Sequence, residues 1–187
     1  TIQGFFEAFG LPYGGCNVVS SAIGMDKTLF KNVMQANGLP VVDGVGFTSR
    51  EWVEDKDKIA KEIEARFGYP VIVKPANLGS SVGIAKATDR TALCEKIDLA
   101  ASFSPRLLVE KAVESLREIN CSVLGGAAKC EASVCEEPVM SDEILSYTDK
   151  YMSNSASKGM SGLSRIIPAR LSSEKTSEIQ EISKKVF

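Results

Sequence analysis

The chain has 187 residues, 44% hydrophobic and 25% charged, with a net charge of −2, a globular balance that excludes the broad basic field of a nucleic-acid or membrane-surface binder. It contains no histidine, which excludes a histidine-bearing zinc site, a Ser-His-Asp triad and a Cys-His dyad. Five scattered cysteines (Cys16, Cys94, Cys121, Cys130, Cys135) without a CxxC pair read as reduced thiols, and with no signal peptide and no run of about 18 apolar residues a soluble, cytoplasmic protein is expected.

Residues 2–9 have the pattern of a short helix that stops at Gly10, and residues 11–15 that of a short strand or turn. Ser20 or Ser21 is a candidate cap for a brief helix through Ile23. Asp26 has the character of an N-cap, and Leu29, Phe30, Val33 and Met34 form the apolar side of a helix through Asn37, ended by Gly38 and Pro40. A strand is expected over 41–47. One helix is expected over 51–67, with Ile59, Ile63 and Phe67 at four-residue spacing. Two strands follow at 71–73 and 82–87, then a helix capped by Asp89 that carries Leu93, Ile97 and Ala101. Strands are expected at 107–109 and 119–124, with Gly125-Gly126 turning into a strand over 128–134. Residues 146–162 are rich in Ser, Gly and Lys and read as a long loop, before a short strand at 164–168 and a final helix capped by Ser172 or Ser173. Mixed helices and hairpins predict an α+β or α/β fold. The first residues start inside a helical pattern and the last stop in one, so the chain is expected to be a piece of a longer protein.

The stretch "VIVKPANLGSSVGIAKA" (71–87) concentrates the chemistry. Lys74 ends an apolar run on a proline, and Gly79 to Gly83, with Ser80, Ser81 and Val82 between, form a loop bare enough for N–H groups to approach an anion. A hairpin turn with a lysine reaching solvent would look the same. The order of residues is not that of a Walker loop, and no GxGxxG opens a helix. Downstream, "LLVEKAV" (107–113) combines an apolar strand with a charged pair, a suitable wall for an adenine ring, and Glu118 is placed to meet ribose hydroxyls. An ordinary strand end with a surface ion pair is the alternative.

The segments "SSAIGMDKTLFKNVMQANGLP" (20–40), "VKPANLGSSVG" (73–83), "LLVEKAVESLREINCSVLG" (107–125) and "YTDKYM" (147–152) together resemble the D-alanine–D-alanine ligase family of the ATP-grasp superfamily, in family order over most of the chain. The resemblance implies an α+β ATP-grasp fold, with 1–25 as the tail of an N-terminal domain, 26–138 as the central subdomain, and 139–187 as the start of a C-terminal domain with a flap at 147–162. It implies that Lys27 and Lys74 contact ATP phosphates, that the loop Gly79–Gly83 closes over them, that Glu110, Lys111 and Val113 hold adenine, and that Glu118 holds ribose. The spacing of Glu118 from Glu110 is one residue longer than in some members. Ser80 resembles a serine that joins a hydrogen-bond triad with a tyrosine, here Tyr151, beside Lys150.

The implied chemistry is ATP-dependent joining of two D-alanines through an acyl phosphate for peptidoglycan precursors. The implied cofactor is Mg2+, with ligands expected beyond residue 187 and no metal ligand in this chain, so the chain alone is expected not to ligate. A homodimeric parent without nucleic-acid or membrane partners is also implied. "REINCSVLG" and "CEEPV" are similar to the D-alanine–D-serine branch associated with vancomycin resistance. Another ATP-grasp enzyme and a non-catalytic nucleotide-binding module remain the alternatives.

Overall fold

The computed structural model describes residues 1–126, 128–139 and 165–187. They divide into two compact units, Thr1–Ala112 and Val113–Phe187. Lys150, Tyr151 and the expected flap lie outside the described residues.

The first unit begins with helices α1 (Ile2–Ala8), α2 (Val18–Gly24) and α3 (Lys27–Ala36). Asn17, not Ser20 or Ser21, caps α2: its side chain accepts from Ser20 N at 2.9 Å, so the helix starts earlier and takes both serines into its interior. Asp26 caps α3, as its position predicts, accepting from Thr28 N and Leu29 N at 3.0 Å each. No strand forms over 11–15.

Next come β1 (Gly44–Thr48), α4 (Ser49–Glu54) and α5 (Lys56–Phe67). The single helix expected over 51–67 is two. Asp55 leaves the helical region (φ −153°, ψ 77°) and its carboxylate accepts from Lys58 N at 3.0 Å, so it ends one helix and caps the next. A short acidic side chain that bonds nearby backbone competes with the helix in this way. Thr48 and Glu51 form a reciprocal capping box at the start of α4.

Strands β2 (Val71–Pro75) and β3 (Ala85–Ala87), helix α6 (Arg90–Phe103) and strand β4 (Arg106–Lys111) complete the unit. The strand expected over 82–87 begins only at Ala85, because Val82 N and Ile84 N are taken by turn bonds to Gly79 O and Ser81 O. The four strands form an antiparallel sheet in the order β1-β4-β2-β3. Its two faces follow from the period of two along each strand. Val71 and Val73 of β2, Leu107 and Val109 of β4 and Val45 of β1 join Trp52, Ile59, Ile63, Leu93 and Ile97 from α4, α5 and α6 in one core. Each fully buried aliphatic side chain contributes about 1.5–3 kcal/mol on leaving water. The opposite face carries Ile72 and Lys74 of β2, and Leu108 and Glu110 of β4. Helix α3 reaches it through Thr28, which a Cβ on Gly46 would meet at 2.6 Å.

In the second unit, β5 (Val123–Gly126) pairs with β6 (Lys129–Ala132), and β7 (Glu137–Pro138) pairs with β8 (Arg165–Ile166). Gly125 and Gly126 are strand residues opposite Cys130 and Lys129 rather than the turn itself. The strand expected from 119 is reduced to a bridge between Asn120 and Glu136 before β5 begins. Ser172 caps α7 (Ser173–Val186), accepting from Lys175 N at 3.1 Å. Helices with antiparallel sheets make the fold α+β. Among the described residues no helix is long and apolar enough to cross a membrane.

Candidate functional site

The site is built on the sheet face that the core does not use. In the β2–β4 ladder Ile72 stands opposite Glu110 and Lys74 opposite Leu108. Lys74 and Glu110 are therefore diagonal neighbours on one face, within reach of long side chains. They form an ion pair, and Lys31 of α3 forms a second one to the other oxygen of the same carboxylate at 2.5 Å. The Glu110 side chain is only 7% exposed, so its charge is held by its two lysines and not by water.

Lys27 enters from the first turn of α3. Its backbone N–H donates to Ala76 O at 2.8 Å, which locks the start of the helix onto the end of β2. Its ammonium donates to the carbonyls of Pro75 and Ala76 at 3.4 Å and to that of Leu78, lying across the root of the Gly79–Gly83 loop. Burial pushes the Lys27 ammonium below the usual lysine range, and the Lys74 charge adds to this, against the opposing pull of Glu110 and Asp26. Lys74 is thus close enough for its charge to act on Lys27, an arrangement that stabilises an anion placed between the two.

The loop itself is unusual in its backbone. Ser80 (φ 54°) and Ser81 (φ 61°) both adopt left-handed conformations, as does Gly83 (φ 70°). Such a conformation costs a non-glycine residue on the order of 1–3 kcal/mol and is found preferentially at ligand sites. Gly83 is required for space as well: a Cβ there would lie 2.8 Å from Pro75 Cγ and 3.0 Å from Phe103 Cδ2. The base of the loop is tied down by Ser104, whose hydroxyl donates to Asn77 Oδ1 at 2.7 Å and accepts from Arg106 N at 3.1 Å.

Of the residues expected from the sequence, Lys27, Lys74, Glu110 and the loop Gly79, Ser80, Ser81, Val82 and Gly83 all lie in the first unit. The lysines meet at Glu110 and at the loop root. Lys111 is exposed, with its N–H donating to Asp43 O at 3.2 Å. Val113 and Glu118 belong to the second unit and are exposed there. Lys31, Asn77 and Ser104 were not singled out by sequence reasoning. Lys31 was detectable, since it stands four residues after Lys27 on the same helix face. Among the described residues, no group of three or more Asp, Glu, Cys or His side chains could hold a metal ion. A separate cleft of about 260 Å³ lies against β1, α4 and α5, but Glu51, Glu54, Asp55 and Glu62 line it, so it would repel a polyanion.

The sequence matches the family described as "D-ala D-ala ligase C-terminus" over residues 33–187. The chain is 39% identical over 188 residues to the D-alanine–D-alanine ligase of Acetivibrio thermocellus, covering all of this chain and 47% of that protein. It is 43% identical to that of Thermoanaerobacter sp., covering 49% of it. Among solved structures it is similar to a D-Ala:D-Ser ligase from Enterococcus faecalis (TM-score 0.81, 31% identity, all of this chain and 50% of that one). It is similar also to the D-alanine–D-alanine ligase from Coxiella burnetii (TM-score 0.75, 30% identity, all of this chain and 46% of that one). The chain thus spans about half the length of the relatives it matches.

Proposed function

The chain belongs to the D-alanine–D-alanine ligase family, and from that premise we propose that it carries the ATP-binding part of an enzyme that joins two D-alanines for peptidoglycan synthesis in the cytoplasm. The observation that carries this reading is the convergence of Lys27 and Lys74 beside a strained Ser-Gly loop, on a sheet face bordered by β4. That is the arrangement a polyphosphate needs: fixed cations on rigid elements and backbone N–H groups on a loop with little side chain.

In this reading the γ-phosphate of ATP supplies the activation that turns the carboxylate of the first D-alanine into an acyl phosphate, which the amine of the second then attacks. Lys74, on a central strand, fixes the phosphates, and Lys27 offsets charge that gathers as the phosphoryl group transfers. The loop Gly79–Gly83 covers them and keeps water out. Glu110, Lys111, Val113 and Glu118 are proposed for the adenosine half, and Ser80 for a triad with Tyr151 next to Lys150. Magnesium is proposed only as the ion that accompanies the ATP phosphates. The described residues offer it no acidic cage, and no step is assigned to it. A homodimer and D-serine as an alternative acceptor belong to the same proposal.

Titration calorimetry with ATP tests the reading. The wild-type chain is expected to bind ATP and Lys74→Ala to bind at least about tenfold more weakly, the loss of one close cation partner. Equal binding by both, or none by the wild type, rejects the site and favours a non-catalytic scaffold.

A further inference from the structure

We propose that Lys31 is a positioning residue of the nucleotide site: by holding one oxygen of the buried Glu110 carboxylate it stops that carboxylate from neutralising Lys74, which therefore keeps positive charge for phosphate. This rests on the ATP reading of the same site.

Lys31 does not sit on the loop. Its ammonium is fixed by two oxygens, Glu110 Oε1 at 2.5 Å and the backbone carbonyl of Val42, also at 2.5 Å, and its side chain is 16% exposed. Lys74 takes the other Glu110 oxygen. Two ammonium groups, those of Lys31 and Lys74, thus share one carboxylate, whose charge also acts on the ammonium of Lys27. Asp26, the other acid whose charge acts on Lys27, is committed to the N–H groups of Thr28 and Leu29 and to Arg106 Nε. A buried glutamate needs one good cation to be tolerated. A second adds a desolvation cost and repulsion from its neighbours. What the second cation gains is a local surplus of positive charge beside Lys74. With Lys31 present, Glu110 is shared and Lys74 is only partly compensated. Without it, Lys74 and Glu110 close into an almost neutral pair.

A purely structural role, pinning α3 to the chain before β1, predicts something different, and ligand charge separates the two. Lys31→Gln keeps a donor for Val42 and Glu110 but removes the charge, whereas Lys31→Arg keeps both. Calorimetry with AMP, ADP and ATP on the 187-residue chain is expected to show Lys31→Gln weakening ATP roughly tenfold, with a loss that grows from AMP to ATP, as one removed charge does at a few ångströms in a partly shielded site. Lys31→Arg is expected to bind within about twofold of wild type, since both cations satisfy the same carboxylate. Unchanged ATP binding in Lys31→Gln, or an equal loss for all three nucleotides, overturns the inference while leaving the ATP site standing. A wild-type chain that binds none of them overturns the functional reading and this inference with it.

Discussion

Asp26 and Glu110 show how much of the site rests on two carboxylates that are tied to cations of the chain itself. Desolvation pushes the Asp26 carboxyl up, but the N–H of Leu29, the Arg106 guanidinium and the N–H of Thr28 together outweigh it and hold the group below the usual carboxylate range. A group lowered in this way contributes stability that is present above its unfolded value, near pH 4, and lost as the pH falls through its folded value. Asp26→Asn, which can still cap, is therefore expected to lose less stability than wild type between about pH 5 and pH 2. Urea melts at both pH values check this, and parallel losses would contradict it. Asp26→Ala is expected to cost about 1 kcal/mol at pH 7 as a lost cap. Glu110→Gln strands the Lys31 and Lys74 charges, which are largely out of water, and is expected to destabilise the chain by about 3 kcal/mol. ATP should recover part of that in a thermal melt, since its phosphates replace the missing anion. At this scale the sequence was readable where a residue type is rare for its place: a lysine ending an apolar run, an aspartate before a helix. Lys31 was legible only as a second lysine on the Lys27 face of the helix; that it turns inward to Glu110 was not, because a lysine on an amphipathic helix normally faces solvent.

Helix α3 is placed by contacts other than its apolar side alone, of which Leu29 remains exposed and Met34 is buried. Besides the bonds of Lys27 and Lys31, one close approach lies at Thr28 over Gly46, where a Cβ would stand 2.6 Å from Thr28 Cγ2. Gly46→Ala is expected to push α3, with Lys27 and Lys31, off the sheet. The cost should be about 1–3 kcal/mol in a chemical melt, with clearly weaker ATP binding. Thr28→Ala in the same chain should restore both, and failure of that rescue would place the defect elsewhere. Element type was largely legible, since β2, α3, α6 and α7 follow from caps and periodicity. The break at Asp55 was hidden because hydrophobic spacing runs through it: Trp52 is buried with Ile59 and Ile63, as one continuous helix would also have them. The late start of β3 was hidden for a related reason. Val82 and Ile84 have strand-like side chains, yet their N–H groups close turns.

The hydrophobic core cluster lies wholly within 45–109, inside the first unit. A chain of residues 1–112 is therefore expected to fold cooperatively, with a single urea transition followed by the fluorescence of Trp52, the one tryptophan in the sequence. A sloping, non-cooperative loss of signal would show that the first unit depends on the second. Trp52 is fully buried, with its indole N–H donating to Asp98 at 2.7 Å, so its emission follows folding of this unit alone. The α+β architecture and the family could be read from the sequence, because the motifs run in order along the whole chain. The division at Ala112 could not, because β4 ends at Lys111 and no change of composition marks the residues that follow.

Glu110 has one more consequence. Lys74, proposed above to meet phosphate, already has a tethered anion competing for it. A single sulfate or inorganic phosphate must displace that carboxylate at its high effective concentration with only one group's worth of attraction. On the proposed reading a nucleotide would engage the loop and two lysines at once. On that reading the glutamate would act as a gatekeeper against small anions, setting a threshold that a multiply charged, multiply anchored ligand crosses more readily.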